Sequence, residues 1–243
     1  MISAGQQRLD EAAARSWLSD PRYERYLNAA GGDHDLGLAL YRWNSRVAAA
    51  GLVDVGHLEV ALRNAYDREL SVTFPNWTID PTSPLFRQEQ GIAKARARQR
   101  TRNRTSLERI ADARRGLGAN PSHGEVVAAL AFGFWANLTL PERAPLVWNP
   151  VLHRAFPRGT RRAAVHDLVA RVVKFRNRLA HNEPVFSTRT GLTERIGDVR
   201  DLLRIVVPEV APYIFTDSDL DAAIATCPVP ALIVTPKNVT GDK

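Results

Sequence analysis

Cysteine is almost absent from this sequence, whose 243 residues include only Cys227. One cysteine cannot form an intrachain disulfide or a zinc site built on several thiolates, so the composition favours a reducing compartment over a secreted scaffold. Long apolar runs are also missing. The N-terminal stretch has no signal-peptide core, and the longest apolar run, residues 126–136, is shorter than the roughly 20 residues that span a membrane. We therefore expect a soluble, cytoplasmic protein without a membrane partner.

Lysine is scarce as well, with four lysines against twenty-nine arginines, and the net charge is +7. Between Lys94 and Arg115 nine basic residues stand against two acidic ones, while the charges of the remaining chain cancel. No aromatic or aliphatic anchors are interleaved, so this segment favours a nucleic acid over a membrane as its polyanionic partner. The alternative is an arginine-rich composition that places many arginines on solvated helices.

Alternating β-branched runs are missing apart from the last fifteen positions, while alanine, leucine, arginine and glutamate dominate. The pattern predicts an all-α protein, with one multi-helix domain over residues 1–227 and a flexible tail over 228–243. The predicted helices span residues 5–18, 21–30, 34–50, 52–71, 85–115, 123–139, 145–154, 161–180, 192–206, 208–214 and 217–226.

The segment 122–138 begins with a capping-box signature, Ser122 followed by Glu125. The residues after it, VVAALAFGFWANL, have no polar face, which predicts one central, buried helix. Gly133 inside this helix is expected to let a neighbouring helix approach closely. Its large side chains are expected in the core: Phe132, Phe134 and Trp135.

The run KARARQRTRNR carries a charge at every second position. On a helix the charges fall on two nearly opposite sides, so neither side can be buried. We expect this run to face solvent or to lie against RNA through its six basic residues: Lys94, Arg96, Arg98, Arg100, Arg102 and Arg104.

The segment FRNRLAHNEP, residues 175–184, ends a predicted amphipathic helix. Arg176 lies eleven residues after Val165 and within about 20° of its direction, so it shares the apolar stripe and is expected to point inward. His181 follows where the helix should end. A guanidinium matches phosphate oxygens and an imidazole moves protons near neutral pH, which suits phosphodiester chemistry. The alternative is structural: Arg176 pairs with Glu183 or Glu59, and His181 caps the helix C-terminus.

The segment FRNRLAHNEP resembles the Arg-x-x-x-x-His signature of HEPN domains, with Asn177 as the polar residue after the arginine. The chain also resembles the Abi-like (abortive infection) family of bacterial phage-defence proteins, over residues 26–212. Four segments carry this resemblance in order: LYRWNSRVAAAGLVDVGHLEVALRNAYDREL, VVAALAFGFWANL, WNPVLHRAFPRGTRR and FRNRLAHNEPVF. In one departure, Asn182 stands where a second histidine is expected.

The resemblance implies a helical bundle and, where the motif is intact, metal-independent endoribonuclease activity at a cleft between two protomers. It implies that His181 transfers a proton, that Arg176 stabilises phosphate charge and that Asn177 holds the geometry. The products would be a 2′,3′-cyclic phosphate and a 5′-hydroxyl end. Many HEPN proteins are instead non-catalytic RNA-binding or protein-interaction modules, such as sensors or antitoxin-like regulators.

The family segment HLEVALRNAYDREL places Glu59, Arg63 and Asp67 at successive i,i+4 spacings. They form either a solvated salt ladder, worth about 0.3 to 0.5 kcal/mol per pair, or part of the cleft, with Glu59 or Asn64 orienting Arg176. Glu59, Arg63 and Asn64 are therefore further candidate site residues. The remaining histidines lack metal-ligand spacing, so no metal or other cofactor is predicted. The expected partners are RNA, a second copy of the chain and a cognate regulator protein.

Overall fold

The computed structural model describes residues 8–186 and 191–233 of the chain. Over these residues it contains α-helices, short 3₁₀ and π segments and no strand, which confirms the predicted all-α class. The first three residues of the first predicted helix and most of the predicted tail lie outside the described residues. The helices are α1 (Glu11–Leu18), α2 (Asp20–Ala29), α3 (His34–Thr73), α4 (Ala93–Leu117), α5 (His123–Ala129), α6 (Phe132–Asn137), α7 (Arg162–Ala180), α8 (Leu192–Val206), α9 (Ala211–Thr216) and α10 (Leu220–Ala225).

Helix α3 is continuous over 40 residues, where the sequence predicted two helices separated at residue 51. Gly51 lies in its interior and is buried. A Cβ at Gly51 would come within 2.9 Å of Cδ1 of Leu179, so the missing side chain makes room for this leucine. Gly51 therefore serves the packing of α7 residues against α3 and does not end the helix.

The predicted helix over 123–139 is wrong in its continuity, because the chain breaks into α5 and α6. Ala131 between them has extended backbone, with ψ at 154°. Two α3 side chains hold the break: Arg63 Nη1 donates to the Ala128 carbonyl at 3.2 Å, and the Glu59 carboxylate accepts from the Phe132 N–H. These bonds satisfy one carbonyl at the end of α5 and one N–H at the start of α6.

Contacts between Cα atoms divide the chain into two compact units. The first unit comprises Met1–Leu52, Arg178–Arg195 and Ser218–Lys243, and the second comprises Val53–Asn177 and Ile196–Asp217. Each unit is thus assembled from segments distant in sequence, and the long helices α3 and α7 contribute residues to both.

The first unit has an aromatic core around Tyr26, whose ring packs edge-on against Tyr41 at 5.2 Å and Phe186 at 5.4 Å. Trp43 on α3 is fully buried. Its indole N–H donates to the Ala223 carbonyl at 3.0 Å, which attaches α10 to α3.

The second unit has its own aromatic core. The ring of Trp77 stacks on Phe134 at 5.9 Å and meets the edge of Trp135 at 6.1 Å. Phe132, Phe134 and Trp135 are all buried, which confirms their predicted place in the core. The expected role of Gly133 is wrong: a Cβ at this position would meet only the end of a flexible side chain, Arg109 Nη1 at 3.6 Å, and no helix backbone of the described residues approaches it.

Within the described ranges no helix has the length and apolar character needed to cross a membrane. The same residues contain no cluster of three or more histidine, cysteine, aspartate or glutamate side chains arranged to hold a metal ion.

Candidate functional site

The basic run lies on α4 in the second unit. All six of its basic side chains are exposed, in agreement with the expectation that neither side is buried. Arg100 forms two hydrogen bonds to the Glu89 carboxylate, at 2.8 and 2.9 Å, and Arg104 lies 3.7 Å from Glu108. Four other basic residues make no salt bridge to any described residue, and their charges face solvent: Lys94, Arg96, Arg98 and Arg102.

Helix α4 packs through a stripe that is mostly polar, formed by Gln99, Asn103, Ser106 and Ile110. Two of these side chains bond to the segment before the helix: Gln99 accepts from the Gln90 N–H at 2.7 Å, and Asn103 donates to the Gln88 carbonyl at 3.0 Å. The predicted helix over 85–115 therefore starts later, at Ala93, because its own side chains hold residues 88 and 90 in a non-helical path.

A buried arginine anchors this stripe, and the sequence reasoning missed it. Arg143 is 1% exposed. It donates to Ser106 Oγ and the Arg102 carbonyl, both at 2.6 Å, and to Asn103 Oδ1. Burial lowers the pKa of Arg143 to about 10. The guanidinium also lies 4.9 Å from the centroid of the Phe86 ring. Arg143 thus joins the 3₁₀ segment Pro141–Arg143 to the underside of the basic helix.

Arg176 on α7 is half-buried, so it points partly inward as its position on the apolar stripe predicted. Its charge acts on Glu59: burial raises the pKa of Glu59, while Arg176, Arg63 and the Phe132 N–H oppose this increase. No hydrogen bond joins the Arg176 guanidinium to another residue in the described part of the chain. The N–H groups of Arg176 therefore remain available to a ligand. The nearby Glu59 carboxylate compensates part of the positive charge of Arg176.

Of the further candidates, Glu59 and Arg63 share a role at the α5–α6 break, and Asn64 and Asn177 are exposed. The predicted salt ladder does not form. Arg63 donates to the Ala128 carbonyl, and Asp67 accepts from Trp77 Nε1 at 2.8 Å and contacts His123 Nε2 at 2.9 Å. Glu59, Arg63 and Arg176 therefore lie close together within the second unit. Asp67 instead bonds to Trp77 in the aromatic core of this unit.

His181 belongs to the first unit and follows the last residue of α7. The Glu183 N–H bonds to the Arg178 carbonyl and the Asn182 N–H to the Leu179 carbonyl, both at 2.9 Å, a Schellman motif with His181 at the C-cap. The His181 side chain is exposed, and neither ring nitrogen forms a hydrogen bond with a described residue. His181 therefore caps the helix with its backbone, as one alternative predicted, while its imidazole is left free.

Glu183 pairs with Arg178 within the first unit. Arg178 Nη1 lies 3.5 Å from the Glu183 carboxylate and donates to the Pro184 carbonyl at 3.1 Å. Of the two structural pairings considered for Arg176, the electrostatic one with Glu59 is present within the second unit.

A buried amide network holds the turn after His181. Asn182 has a φ of 48°, the left-handed conformation that asparagine tolerates better than most residues. Its amide donates to Ser45 Oγ at 3.0 Å and Tyr41 Oη at 3.2 Å, and its Oδ1 accepts from Asn44 Nδ2 at 3.1 Å. The asparagine that departs from the family pattern is therefore the residue that attaches this turn to α3.

Asn44 completes the network from the α3 side and is fully buried. Its amide oxygen accepts from the Val185 N–H at 2.8 Å, and its amide nitrogen donates to the Glu183 carbonyl at 3.3 Å. Arg22 on α2 donates to the His181 carbonyl at 3.4 Å. Sequence reasoning missed Asn44, and the only signal for it was its presence in the family segment LYRWNSRVAAA.

Comparisons with protein-family models, with curated proteins and with solved structures find no match to this chain. The resemblance to HEPN domains therefore depends on the quoted motifs. The motif itself is divided between the two units, with Arg176 and Asn177 in the second and His181 in the first.

Proposed function

We propose that the protein is a metal-independent endoribonuclease of the HEPN type, acting in the bacterial cytoplasm in abortive infection or as a toxin. A ribose 2′-hydroxyl attacks the adjacent phosphorus, and His181 takes part in moving its proton. Arg176 stabilises the negative charge that develops on the phosphoryl oxygens, and Asn177 helps to position the phosphate. The 5′-oxygen leaves with a proton, so the products are a 2′,3′-cyclic phosphate and a 5′-hydroxyl end.

The observation that carries this proposal is the free imidazole of His181. Four of the six histidines use ring nitrogens in hydrogen bonds within the fold: His34, His123, His153 and His166. The rings of His57 and His181 form no hydrogen bond with a described residue, and of these two only His181 lies in the Arg-x-x-x-x-His motif, on a backbone that a tightly bonded turn fixes. An exposed imidazole on a rigid backbone suits proton transfer better than it suits a structural role.

Arg176 supports the same chemistry. Its guanidinium is half-buried and free of hydrogen bonds to described residues. A partly desolvated guanidinium binds a phosphate more strongly than an exposed one, because water screens the charges less. The exposed charges of α4 would supply the remaining attraction for the RNA backbone.

The direct test is incubation of the purified protein with labelled RNA in excess EDTA. We expect fragments that carry 2′,3′-cyclic phosphate and 5′-hydroxyl ends. Fragments with 3′-hydroxyl ends, or cleavage that requires added metal, would contradict the proposed mechanism. Light scattering of the same preparation measures whether the protein is a homodimer, as the resemblance to HEPN domains leads us to propose.

The second candidate is a non-catalytic module that binds RNA. Such a module would also bind a cognate regulator protein. The electrostatic interaction between Glu59 and Arg176 favours this alternative, because it gives Arg176 a structural role. Binding of RNA by a protein that leaves the strand intact in the EDTA assay would support it.

The Arg176→Lys substitution separates the two candidates. Lysine keeps the charge beside Glu59 but loses the planar fork of donors, so we expect cleavage to fall about 100-fold or more with the melting temperature within a few degrees of wild type. Rates per folded molecule and thermal melts measure the two effects. Loss of folding with unchanged activity per folded molecule would assign Arg176 a structural role.

The salt dependence of RNA affinity tests α4. If about six basic residues neutralise phosphates of a single strand, the slope of log K against log salt should be near −4, from about 0.7 per contact. Because Arg100 is paired with Glu89 and Arg104 with Glu108, we choose the four unpaired residues Lys94, Arg96, Arg98 and Arg102 for replacement by glutamine, and expect the slope to flatten by up to about 3.

The control variant removes the same charge elsewhere, from four exposed arginines outside α4: Arg25, Arg42, Arg46 and Arg68. We expect its slope to change by less than about 1. Equal slopes for the two variants would mean that α4 is only a solvated face.

A further inference from the structure

An open groove lies in the second unit beside the C-terminal half of α4. Its volume is about 380 Å³, within the range of small-molecule sites. One wall carries Arg109 and Asp112 of α4, and the floor and other wall come from the α5–α6 break: Ala129, Leu130, Ala131, Gly133 and Phe134. The break, which Glu59 and Arg63 hold open, thus creates a concave apolar surface next to the basic helix.

The groove stays open because several of the residues that line it have small side chains or none. Ala129 and Ala131 are exposed, and Gly133 has no side chain that would fill the space. The Arg109 guanidinium lies at the rim, with Nη1 3.6 Å from the position that a Cβ of residue 133 would take. The groove therefore combines an apolar floor, one cation and one carboxylate, Asp112, of which Oδ1 accepts from Arg115.

The charge of the surroundings identifies the class of occupant. The groove adjoins the segment that carries nine basic residues against two acidic ones, so a polyanion is attracted to this side of the unit. In a polyanion that follows α4, the part that fits an apolar groove is a nucleobase, which has apolar faces and a polar edge. Arg109 can contact its phosphate, and Oδ2 of Asp112, the carboxylate oxygen that does not bond to Arg115, can accept from an exocyclic amino group.

We propose that this groove binds an unpaired base of single-stranded RNA, preferably a base with an exocyclic amino group such as cytosine. The proposal rests on RNA being the ligand of the proposed function, and it names the element of the strand that is recognised. Phosphate contacts along α4 alone would not distinguish one sequence from another, whereas a base in the groove gives the protein a preference for unpaired strands.

The test compares two strands with the full-length protein: a 2′-O-methyl oligocytidylate, which cannot undergo 2′-hydroxyl attack, and the same strand with abasic sugars. We expect the wild type to bind the strand with bases about tenfold more tightly, because a base that is buried or stacked against the protein adds to the affinity. The Ala129→Met substitution places a larger side chain in the groove. The affinities of this variant for the two strands should differ by less than about twofold, while the slope of log K against log salt stays unchanged.

Ala128→Met is the matched control, because Ala128 is exposed on the same helix and does not line the groove. It should keep the full preference. Should Ala129→Met fail to fold in thermal melts, Ala131→Leu fills the same space. A wild type that binds both strands equally, or equal behaviour of the two methionine variants, would overturn the proposal. The binding assay involves no cleavage, so a base preference without cleavage in EDTA would contradict the proposed enzyme and leave the groove assignment intact.

Discussion

Replacement of His181 by alanine is expected to abolish RNA cleavage, with a loss of about 10²- to 10⁴-fold in rate at saturating RNA. The reason is the loss of the imidazole that moves the proton of the attacking hydroxyl. Folding should be preserved, because the side chain is exposed and its ring forms no hydrogen bond with the described residues. Single-turnover cleavage rates and thermal melts measure the two quantities, and we expect the melting temperature to match wild type within about 1 to 2 °C.

His57→Ala is the matched control for this experiment. His57 lies on α3, is likewise exposed and forms no ring hydrogen bond in the described structure, so its loss should leave both cleavage and stability unchanged. Undiminished cleavage by the His181→Ala variant would eliminate the proton-transfer role. Equal losses in the two histidine variants would point to a general effect of the substitutions, and the proposed mechanism would not survive either result.

Replacement of Asn44 by alanine is expected to lower the free energy of unfolding by about 3 kcal/mol. Asn44 is fully buried and supplies the acceptor for the Val185 N–H and the donor for the Asn182 amide oxygen. Alanine leaves these groups without partners in a buried site, and each unsatisfied group costs about 1 to 3 kcal/mol. Urea unfolding followed by circular dichroism measures the change.

Asn64→Ala provides the comparison, since Asn64 stands on the same helix but is exposed. There we expect a change within about 0.5 kcal/mol, because alanine also has the higher helix propensity. If Asn44→Ala were no more destabilising than Asn64→Ala, the amide network would not be what holds the turn after His181. Cleavage by the folded fraction of Asn44→Ala should also fall, because the backbone that carries His181 would no longer be attached to α3.

The all-helical fold was predictable because composition and periodicity act locally. Alanine, leucine, arginine and glutamate favour helix at each position, and the capping box at Ser122 and Glu125 forms as its spacing predicted. The exposure of the six basic side chains of α4 also followed from local geometry, since charges on opposite sides of a helix cannot both be buried. The burial of Phe132, Phe134 and Trp135 followed from the length of the apolar run.

The prediction failed where a distant side chain decided the local backbone. Nothing in VVAALAFGFWANL signals a break, because the partners that stabilise it, Glu59 and Arg63, lie about seventy residues earlier on α3. Gly51 reads locally as a helix end, but α3 continues through it because Leu179 fills the space beside it. Asn182 read as a departure from a family motif, and its left-handed backbone and three side-chain bonds became visible only in the fold.

The sequence by itself determined the helical class, the basic segment 94–115 and the motif that contains Arg176, Asn177 and His181, since each depends on residues close together in the chain. Only the tertiary structure decided which polar side chains are free and which are consumed by the fold. It paired Arg178 with Glu183, placed Arg176 beside Glu59, buried Arg143 under α4 and left the His181 ring without a bond to any described residue. The physical reason is that a hydrogen bond or ion pair depends on both partners and on their burial, and most of these partners are separated by dozens of residues.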